Sequence, residues 1–423
     1  MKLIDRILSF DYKRITQEQF FMLTILIVNA GNYAYNLLLG RILGPEHFAD
    51  AAILITLLLV LSFVGMTFQI VTAKYAVLFE DDKLHAFIKF ITKYALLFGL
   101  LFGALIISFN TYLQDLFHTK TATMFLLFGL GIPLYFLMSV NRGIYQGKNQ
   151  FNQLSKTYTT EMLSRLCLTI LAILLLTDIP SSIIVSLGII ISFVFGLFPF
   201  QKMLFQRTKL KEIDINKKAI ITFFSLTAFY ELTQIIINNS DIILVKHFFD
   251  DTNAGLYASL ALIGRVVYFV AWMFVMLLLP KVIQMKKEGK DTLPILMKYV
   301  TYIGILSTGI VCFTALFPEF VVKVMFGNAY VSIAVLLWKY ALATSLFAIA
   351  NIFAYYFLSI NQYFPVIVSA ILGCTQIFLI IAYHDTLEQV VHMQIIAMMI
   401  LLFFQLFYFF FQNRKATANN QLK

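Results

Sequence analysis

The sequence predicts an all-α membrane protein of about twelve transmembrane helices, arranged as two parallel six-helix lobes around a central cavity. Three observations predict this fold. Sixty per cent of the 423 residues are hydrophobic, only 13% are charged, and the mean hydropathy is +0.84, which places the chain in a bilayer. Basic residues concentrate in alternate connections between apolar stretches, and polar side chains recur at matching positions in the two halves.

The chain divides into elements that follow one another in a regular order. Segment 1–19 spaces its apolar residues for an amphipathic helix on the membrane surface, and no cleavage site follows the first apolar run, so we expect the first helix to remain. A spanning helix needs roughly 20 apolar residues, and longer stretches predict tilted or bent helices. The predicted helices are 20–41, 48–79, 86–109, 122–146, 151–176, 180–205, 219–247, 253–283, 293–317, 328–358, 363–383 and 387–411.

The distribution of Lys and Arg predicts the orientation. Of the 32 basic residues, 24 fall in the two terminal segments and in alternate connections. The opposite side has four, Arg41, Lys120, Lys246 and Lys323. By the positive-inside rule both termini are cytoplasmic. The net charge of +10 then reflects topology and contact with anionic lipid heads, and it gives no reason to expect nucleic acid as a partner.

The most hydrophilic stretch, 201–218, separates the first six helices from the last six. We therefore predict an N-terminal lobe at 1–205, containing the amphipathic arm and helices 1–6, and a cytoplasmic linker at 206–218. A C-terminal lobe at 219–423 contains helices 7–12 and a cytoplasmic tail. Because each lobe has an even number of helices, the two repeats are parallel.

Matching residues in the two halves support a duplication. The offset between partners grows from 205 to 207 to 212 along the chain, as small insertions require. Transport is the natural function of such a duplicate, because two rigid bundles can move about a site between them. The partners are Asn36 and Asp241, Arg41 and Lys246, Lys74 and Lys281, and the pairs Asn149-Gln150 and Asn361-Gln362.

Polar side chains at membrane depth are the candidate site residues, since each must face water, a partner or a ligand. Two predicted helices carry such residues three or four positions apart, so each has one polar stripe along one face. The stripes are Asn29, Asn32 and Asn36 in the first helix, and Glu231, Gln234, Asn238 and Asp241 in the seventh.

Cations within the helices favour an anionic ligand. An Arg at the bilayer centre costs about 2.5–3.5 kcal/mol on insertion scales. Lys74 and Arg142 lie near the cytoplasmic face, where extension towards lipid head groups explains them equally well. The predicted substrate-binding residues are Arg265, Arg165, Arg142, Lys74, Asn36 and Gln234.

Structural ion pairs compete with ligand binding. Glu161 precedes Arg165 by four residues, the favourable order for a pair within one helix. Arg265 has no acid within a turn, and its structural partners would be Asp241 or Glu231 on the neighbouring helix. The sequence leaves both alternatives open.

The acids Glu231 and Asp241 are the predicted ion-coupling residues, with proton and sodium equally compatible. Asp241 lies near the outer end of its predicted helix, where we expect water to reach it. Alternatively, the stripe only joins the seventh helix to the first by hydrogen bonds, worth about 0.6 kcal/mol each. The three cysteines are far apart in sequence, so we predict neither a metal site nor a cofactor.

Three segments resemble the polysaccharide transporters, the flippases of the multidrug, oligosaccharidyl-lipid and polysaccharide exporter superfamily. They read LLLGRILGPEHFAD (37–50), RGIYQGKNQF (142–151) and NNSDIILVKHFFDDTNAGLYASLALIGR (238–265). The resemblance implies a V-shaped fold in a bacterial inner membrane and, as substrate, undecaprenyl-pyrophosphate-linked oligosaccharides for O antigen, capsule or exopolysaccharide. Arg suits a pyrophosphate. Membrane lipids and a polysaccharide polymerase complex are the further expected partners.

Two other classes of function compete with this interpretation. A multidrug or cation antiporter of the same superfamily would have an acid-lined, aromatic-rich cavity without central arginines. An enzyme acting on the same lipid-linked sugars would need a large outer loop, and the longest that we predict is 110–122. The sequence contains no nucleotide-binding Gly-rich loop or catalytic triad motif, so we predict a protein that is not an enzyme.

Overall fold

The computed structural model describes residues 16–117, 119–204, 215–249 and 251–421. Apart from short connections, these residues are helical. Two 3₁₀ helices, Lys202–Leu204 and Asn328–Leu336, accompany the α-helices. In chain order the α-helices are α1 (Gln17–Leu78), α2 (Asp81–Ser108), α3 (Asn110–Phe117), α4 (Thr123–Gly147), α5 (Phe151–Leu175), α6 (Ser181–Gly196), α7 (Lys217–Phe248), α8 (Asp251–Gly264), α9 (Val266–Lys287), α10 (Leu293–Leu316), α11 (Pro318–Phe326), α12 (Leu337–Ser359), α13 (Tyr363–Ala382) and α14 (Leu387–Gln421).

The twelve predicted membrane helices agree in number and order with twelve apolar helical segments of the described residues. Eleven segments are long and apolar enough to cross a membrane, and α6 is a shorter apolar helix of 16 residues. The sixth helix therefore ends before the predicted residue 205. Pro199 explains this, because the residue that precedes a proline disfavours helical backbone. The all-α membrane architecture is confirmed.

Three predicted boundaries differ from the structure. The connection expected at 42–47 is helical, so two membrane-spanning segments share the continuous helix α1. The predicted eighth helix is interrupted at Arg265, whose φ of −73° and ψ of −6° separate α8 from α9. The predicted connection after residue 317 contains α11, and the predicted helix at 328–358 begins as a 3₁₀ helix.

Contacts group the described residues into two compact units. The first unit combines Met1–Leu59 with His85–Leu210, and the second combines Val60–Leu84 with Lys211–Lys423. The boundary between the units thus falls within α1. Most of the predicted linker at 206–218 and of the arm at 1–19 lies outside the described residues, and the predicted lobe boundaries remain a proposal.

Each unit has its own packed interior. In the first unit α6 lies against α4 and α5, and Gly188 permits close approach because an added Cβ would collide with Thr169 of α5. In the second unit a core cluster joins α8, α12 and α14 through Tyr257, Leu337 and Val390. These cores hold the polar residues described below.

One predicted repeat is visible in the backbone. Asn149, between α4 and α5, has a φ of 55°, and Asn361, between α12 and α13, has a φ of 65°. The next residue closes each turn in the same way: Gln150 N–H donates to the carbonyl of Tyr145, and Gln362 N–H donates to that of Phe357, both at 2.9 Å. Asn tolerates this left-handed backbone better than most residues. The predicted correspondence of these two turns is confirmed.

Candidate functional site

Three charged side chains meet in the interior of the first unit. Glu161 of α5 lies between Arg142 of α4 and Arg165, which is one turn further along α5. Its Oε2 is 2.7 Å from Arg142 Nη2, and its Oε1 is 3.2 Å from Arg165 Nη1, while all three side chains are between 5% and 12% exposed. Of the alternatives that the sequence left open for Arg165, pairing with Glu161 is observed. Because one carboxylate serves two guanidinium groups, this arginine cluster has a net positive charge.

Hydrogen bonds fix both arginines within the arginine cluster. Arg142 donates from Nε to Thr157 Oγ1 at 3.1 Å and from Nη2 to the Thr157 carbonyl at 3.0 Å, and its guanidinium stacks 3.8 Å from the centre of the Tyr158 ring. Arg165 donates from Nη2 to Asn32 Oδ1 at 2.7 Å. Arg142 therefore points into the protein, and the alternative that it extends to lipid head groups is wrong. Each guanidinium has five N–H donors, so donors remain for a further acceptor.

The stripe on α7 supplies the main charge pair of the second unit. Asp241 Oδ1 lies 3.1 Å from Arg265 Nη2, and Asp241 Oδ2 accepts hydrogen bonds from the hydroxyls of Tyr340 at 2.7 Å and Tyr257 at 3.3 Å. The break between α8 and α9 places Arg265 at this position. Of the alternatives that the sequence left open, pairing with Asp241 is observed. The Asp241 side chain is 1% exposed, so the expectation that water reaches it is wrong.

Glu231, ten residues earlier on α7, has different surroundings. It is buried and accepts a hydrogen bond from the Tyr355 hydroxyl of α12. The Tyr355 ring contacts those of Tyr230 and Trp272, with ring centres 5.3 Å and 5.4 Å away. In the described part of the chain, no Lys, Arg or His lies within ion-pair distance of Glu231. A buried carboxyl group without a cationic partner favours binding of a proton or a metal cation.

The predicted amides occupy different environments. Gln234 is buried, and its Oε1 accepts no hydrogen bond from the described residues. Asn36 is half-buried on α1, in the first unit, whereas Gln234 belongs to the second. Asn238 lines a cavity of about 20 Å³ in the second unit, together with Gln376 and Gln394. This cavity has room for about one water molecule.

Lys74 is enclosed near the end of α1, within the second unit. It is 2% exposed, its Nζ donates to Asn361 Oδ1 at 2.5 Å, and it lies 3.5 Å from the centre of the Phe223 ring. No acid among the described residues is within ion-pair distance of it. The side chain does not extend to the lipid surface, so that alternative is wrong for Lys74 as well.

Sequence reasoning missed the tyrosines that surround the acids. The hydroxyls of Tyr340, Tyr355 and Tyr257 donate hydrogen bonds to the two carboxylates of α7. They were missed because Tyr is counted as hydrophobic when apolar stretches are identified. A signal existed in the pair Tyr355-Tyr356 within a predicted membrane helix, since a buried Tyr hydroxyl needs a partner.

Comparison with known families identifies the relatives of the chain. The profile of a family described as polysaccharide biosynthesis protein matches residues 38–335. No curated protein matches the sequence.

Solved structures with the same fold are transporters. An outward-facing MATE-family multidrug resistance transporter of the MOP superfamily is 13% identical, with a TM-score of 0.72 over 97% of this chain and 98% of its own. A variant of the Vibrio cholerae MATE transporter VcmN is 11% identical, with a TM-score of 0.74 over 92% and 94%. A MOP superfamily transporter from Pyrococcus furiosus is 12% identical, with a TM-score of 0.71 over 93% and 96%. The predicted fold class is confirmed.

Proposed function

The chain belongs to the polysaccharide biosynthesis protein family, and from this premise we propose that it is a flippase for lipid-linked oligosaccharides. It is a multi-pass membrane transporter. Its proposed substrates are undecaprenyl-pyrophosphate-linked units of O antigen, capsule or exopolysaccharide, carried across a bacterial inner membrane in which both termini are cytoplasmic. A polysaccharide polymerase complex would receive the product.

The net positive charge of the arginine cluster is the observation that supports this substrate best. A pyrophosphate is an anion with several acceptor oxygens, and guanidinium groups bind such anions through paired hydrogen bonds. Glu161 neutralises one of its two arginines and holds both in place. An anionic head group would balance the remaining charge. The lipid tail needs no protein pocket, because it can stay in the bilayer while the head group crosses.

Binding of purified protein to a lipid-linked oligosaccharide in detergent tests this assignment. We expect Arg142→Gln and Arg165→Gln to weaken binding of the pyrophosphate-linked lipid, with little effect on a neutral polyprenol-linked sugar. Lys93→Gln is a matched control, since it removes a cation from α2 outside the cluster. Equal binding of the charged and neutral lipids by the wild-type protein would remove the pyrophosphate from the proposal.

Arg265 is proposed as a second anion contact whose availability depends on Asp241. In the structure the pair is closed, so Arg265 would reach a ligand only after Asp241 releases it. Binding of the coupling cation by the Asp241 carboxylate would weaken the pair. This sequence of events would couple ion binding to substrate binding. Lys74, Gln234 and Asn36 remain proposed contacts of the substrate as it crosses the membrane.

Glu231 is the stronger candidate for ion coupling, because no described cation competes for its carboxylate. The variant Glu231→Gln would imitate a permanently protonated side chain. We expect it to bind substrate but to lose stimulation by an imposed proton or sodium gradient in proteoliposomes. Gradient-stimulated transport that survives the substitution would leave the stripe on α7 only a structural role.

One observation favours a second candidate, the multidrug or cation antiporter. Glu231 accepts a hydrogen bond from Tyr355, whose ring contacts those of Tyr230 and Trp272, and this resembles the acidic, aromatic site expected for organic cations. Transport of a fluorescent cationic dye would distinguish the two functions. We expect no saturable dye transport, and dye transport that requires Glu231 would favour the antiporter.

A further inference from the structure

Two short helices, one in each unit, follow membrane-spanning helices and expose an apolar face. Helix α3 follows α2 in the first unit, and α11 follows α10 in the second. Five apolar positions match between them: Phe109, Tyr112, Leu113, Leu116 and Phe117 at α3, and Phe317, Phe320, Val321, Val324 and Met325 at α11, where Val322 and Phe326 are further apolar residues. The two sets have the same spacing and are offset by 208 residues throughout, between the 207 and 212 found elsewhere in the duplication.

The backbone repeats with the same offset. At the start of α3, Phe109 N–H donates to the carbonyl of Leu105 at 3.0 Å, and Leu113 N–H donates to that of Phe109 at 2.8 Å. At the start of α11, Phe317 and Val321 make the corresponding bonds at 2.9 Å and 3.1 Å. Each short helix is therefore attached to its spanning helix by the same turn. The matching turns indicate that α3 and α11 belong to the predicted repeat.

The exposed apolar faces also match in extent. Tyr112 and Phe320 are each 62% exposed, and in each helix the first, second, fourth and fifth apolar positions are all classed as exposed. The opposite side of α11 is held by Val322, which is buried in the core cluster of the second unit. Because that contact fixes the rotation of α11, the exposed face must point away from the protein core.

Continuity with the lipid-facing surface indicates what covers these faces. Helices α2 and α10 are among the least buried spans, with 28% and 22% of their apolar windows inside the protein. Leu101 and Leu105 extend the exposed face of α3 back along α2, and Phe313 and Leu316 do the same for α11 on α10. The apolar face thus starts on the exposed apolar side of a membrane-spanning helix and continues along the short helix at its end.

We propose that α3 and α11 are a matched pair of interfacial helices, each lying in the phospholipid head-group region where its spanning helix leaves the bilayer. Their chemistry fits this partner: aromatic and aliphatic residues face the acyl chains, while Thr111, Asp115, Glu319 and Lys323 face water. The spanning helices α2 and α10 both begin on the side that is rich in basic residues, and α3 and α11 lie at their other ends. The two short helices would therefore lie in the leaflet on the opposite side. Each unit would then carry its own anchor in that leaflet.

Spin labels on a cysteine-free protein test the proposal independently of transport. The native residues Cys167, Cys312 and Cys374 are replaced by Ser, and single cysteines are introduced as Leu116→Cys and Val324→Cys on the apolar faces. The matched controls are the adjacent Asp115→Cys and Lys323→Cys. After reconstitution in vesicles of phosphatidylethanolamine and phosphatidylglycerol, power-saturation EPR compares collision with oxygen and with a water-soluble nickel chelate.

We expect the ratio of oxygen to nickel accessibility to be several-fold higher at positions 116 and 324 than at 115 and 323. Similar nickel accessibility at all four positions would show that the apolar faces lie in water, which overturns the proposal. Immobile labels at 116 and 324, shielded from both reagents, would overturn it in favour of a protein partner or a second copy of the chain. Tyr112→Cys and Phe320→Cys repeat the measurement if either first variant fails to accumulate.

Discussion

Replacing Asp241 by Asn should destabilise the protein substantially, although it only exchanges the charged carboxylate for a neutral amide of nearly the same shape. The substitution leaves Arg265 enclosed, with its side chain 11% exposed, and without the carboxylate 3.1 Å away. Removal of one partner of a buried ion pair typically costs about 3–5 kcal/mol. The Tyr340 hydroxyl also loses a charged acceptor at 2.7 Å. Hydrogen bonds to charged groups contribute about 1.5–3 kcal/mol, against about 1 kcal/mol for neutral ones.

Because these losses arise in one network, they are not additive, and we expect a total close to 3–5 kcal/mol. The double variant Asp241→Asn/Arg265→Gln restores neutrality, so it should recover more than half of this loss. Thermal unfolding of purified protein in detergent measures both effects, with the exposed Asp115→Asn as control. The reasoning would be refuted by an Asp241→Asn protein as stable as the control, or by a double variant that is less stable than either single one.

Substitutions at three further positions test other parts of the structure. Lys74→Met should change thermal stability little, because removal of a buried cation that has no acidic partner among the described residues offsets the lost hydrogen bond to Asn361; a large loss of stability would contradict this. Glu231→Gln should likewise keep or raise the melting temperature while abolishing gradient-stimulated transport, and a strong destabilisation would contradict this assignment. Asn149→Ala should cost about 1 kcal/mol in unfolding free energy and Asn149→Gly less, since the φ of 55° favours Gly; equal losses would argue against the left-handed turn.

The large-scale architecture followed from sequence because it depends on local composition. Apolar stretches located the membrane helices, and the Asn-Gln pairs located the repeated turns, since Asn carries the left-handed backbone wherever the turn occurs. The break at Arg265 was not predictable: the apolar pattern continues through it, and its geometry accompanies a pairing with Asp241 on another helix. Helices α3 and α11 were hidden within short predicted connections.

The candidate site was predicted only as a set of residues, because partners depend on tertiary packing. Glu161–Arg165 was accessible from spacing alone, as both lie on α5. Arg142 reaches the same carboxylate from α4, and nothing in its position near the end of that helix distinguishes inward pairing from extension to lipid. The hydrogen bond from the Tyr355 hydroxyl to Glu231 likewise joins two different helices, so the sequence alone does not predict it.

Reconstituted transport of a labelled undecaprenyl-pyrophosphate oligosaccharide tests the central claim most directly. Fluorescent sugar that crosses the vesicle membrane becomes accessible to, or protected from, a reagent that cannot permeate. We predict that wild-type protein accelerates this exchange over protein-free vesicles, that Arg142→Gln/Arg165→Gln abolishes the acceleration, and that Lys93→Gln retains it. The account would be contradicted if vesicles that contain correctly folded wild-type protein exchange the lipid-linked sugar no faster than empty vesicles under either ion gradient.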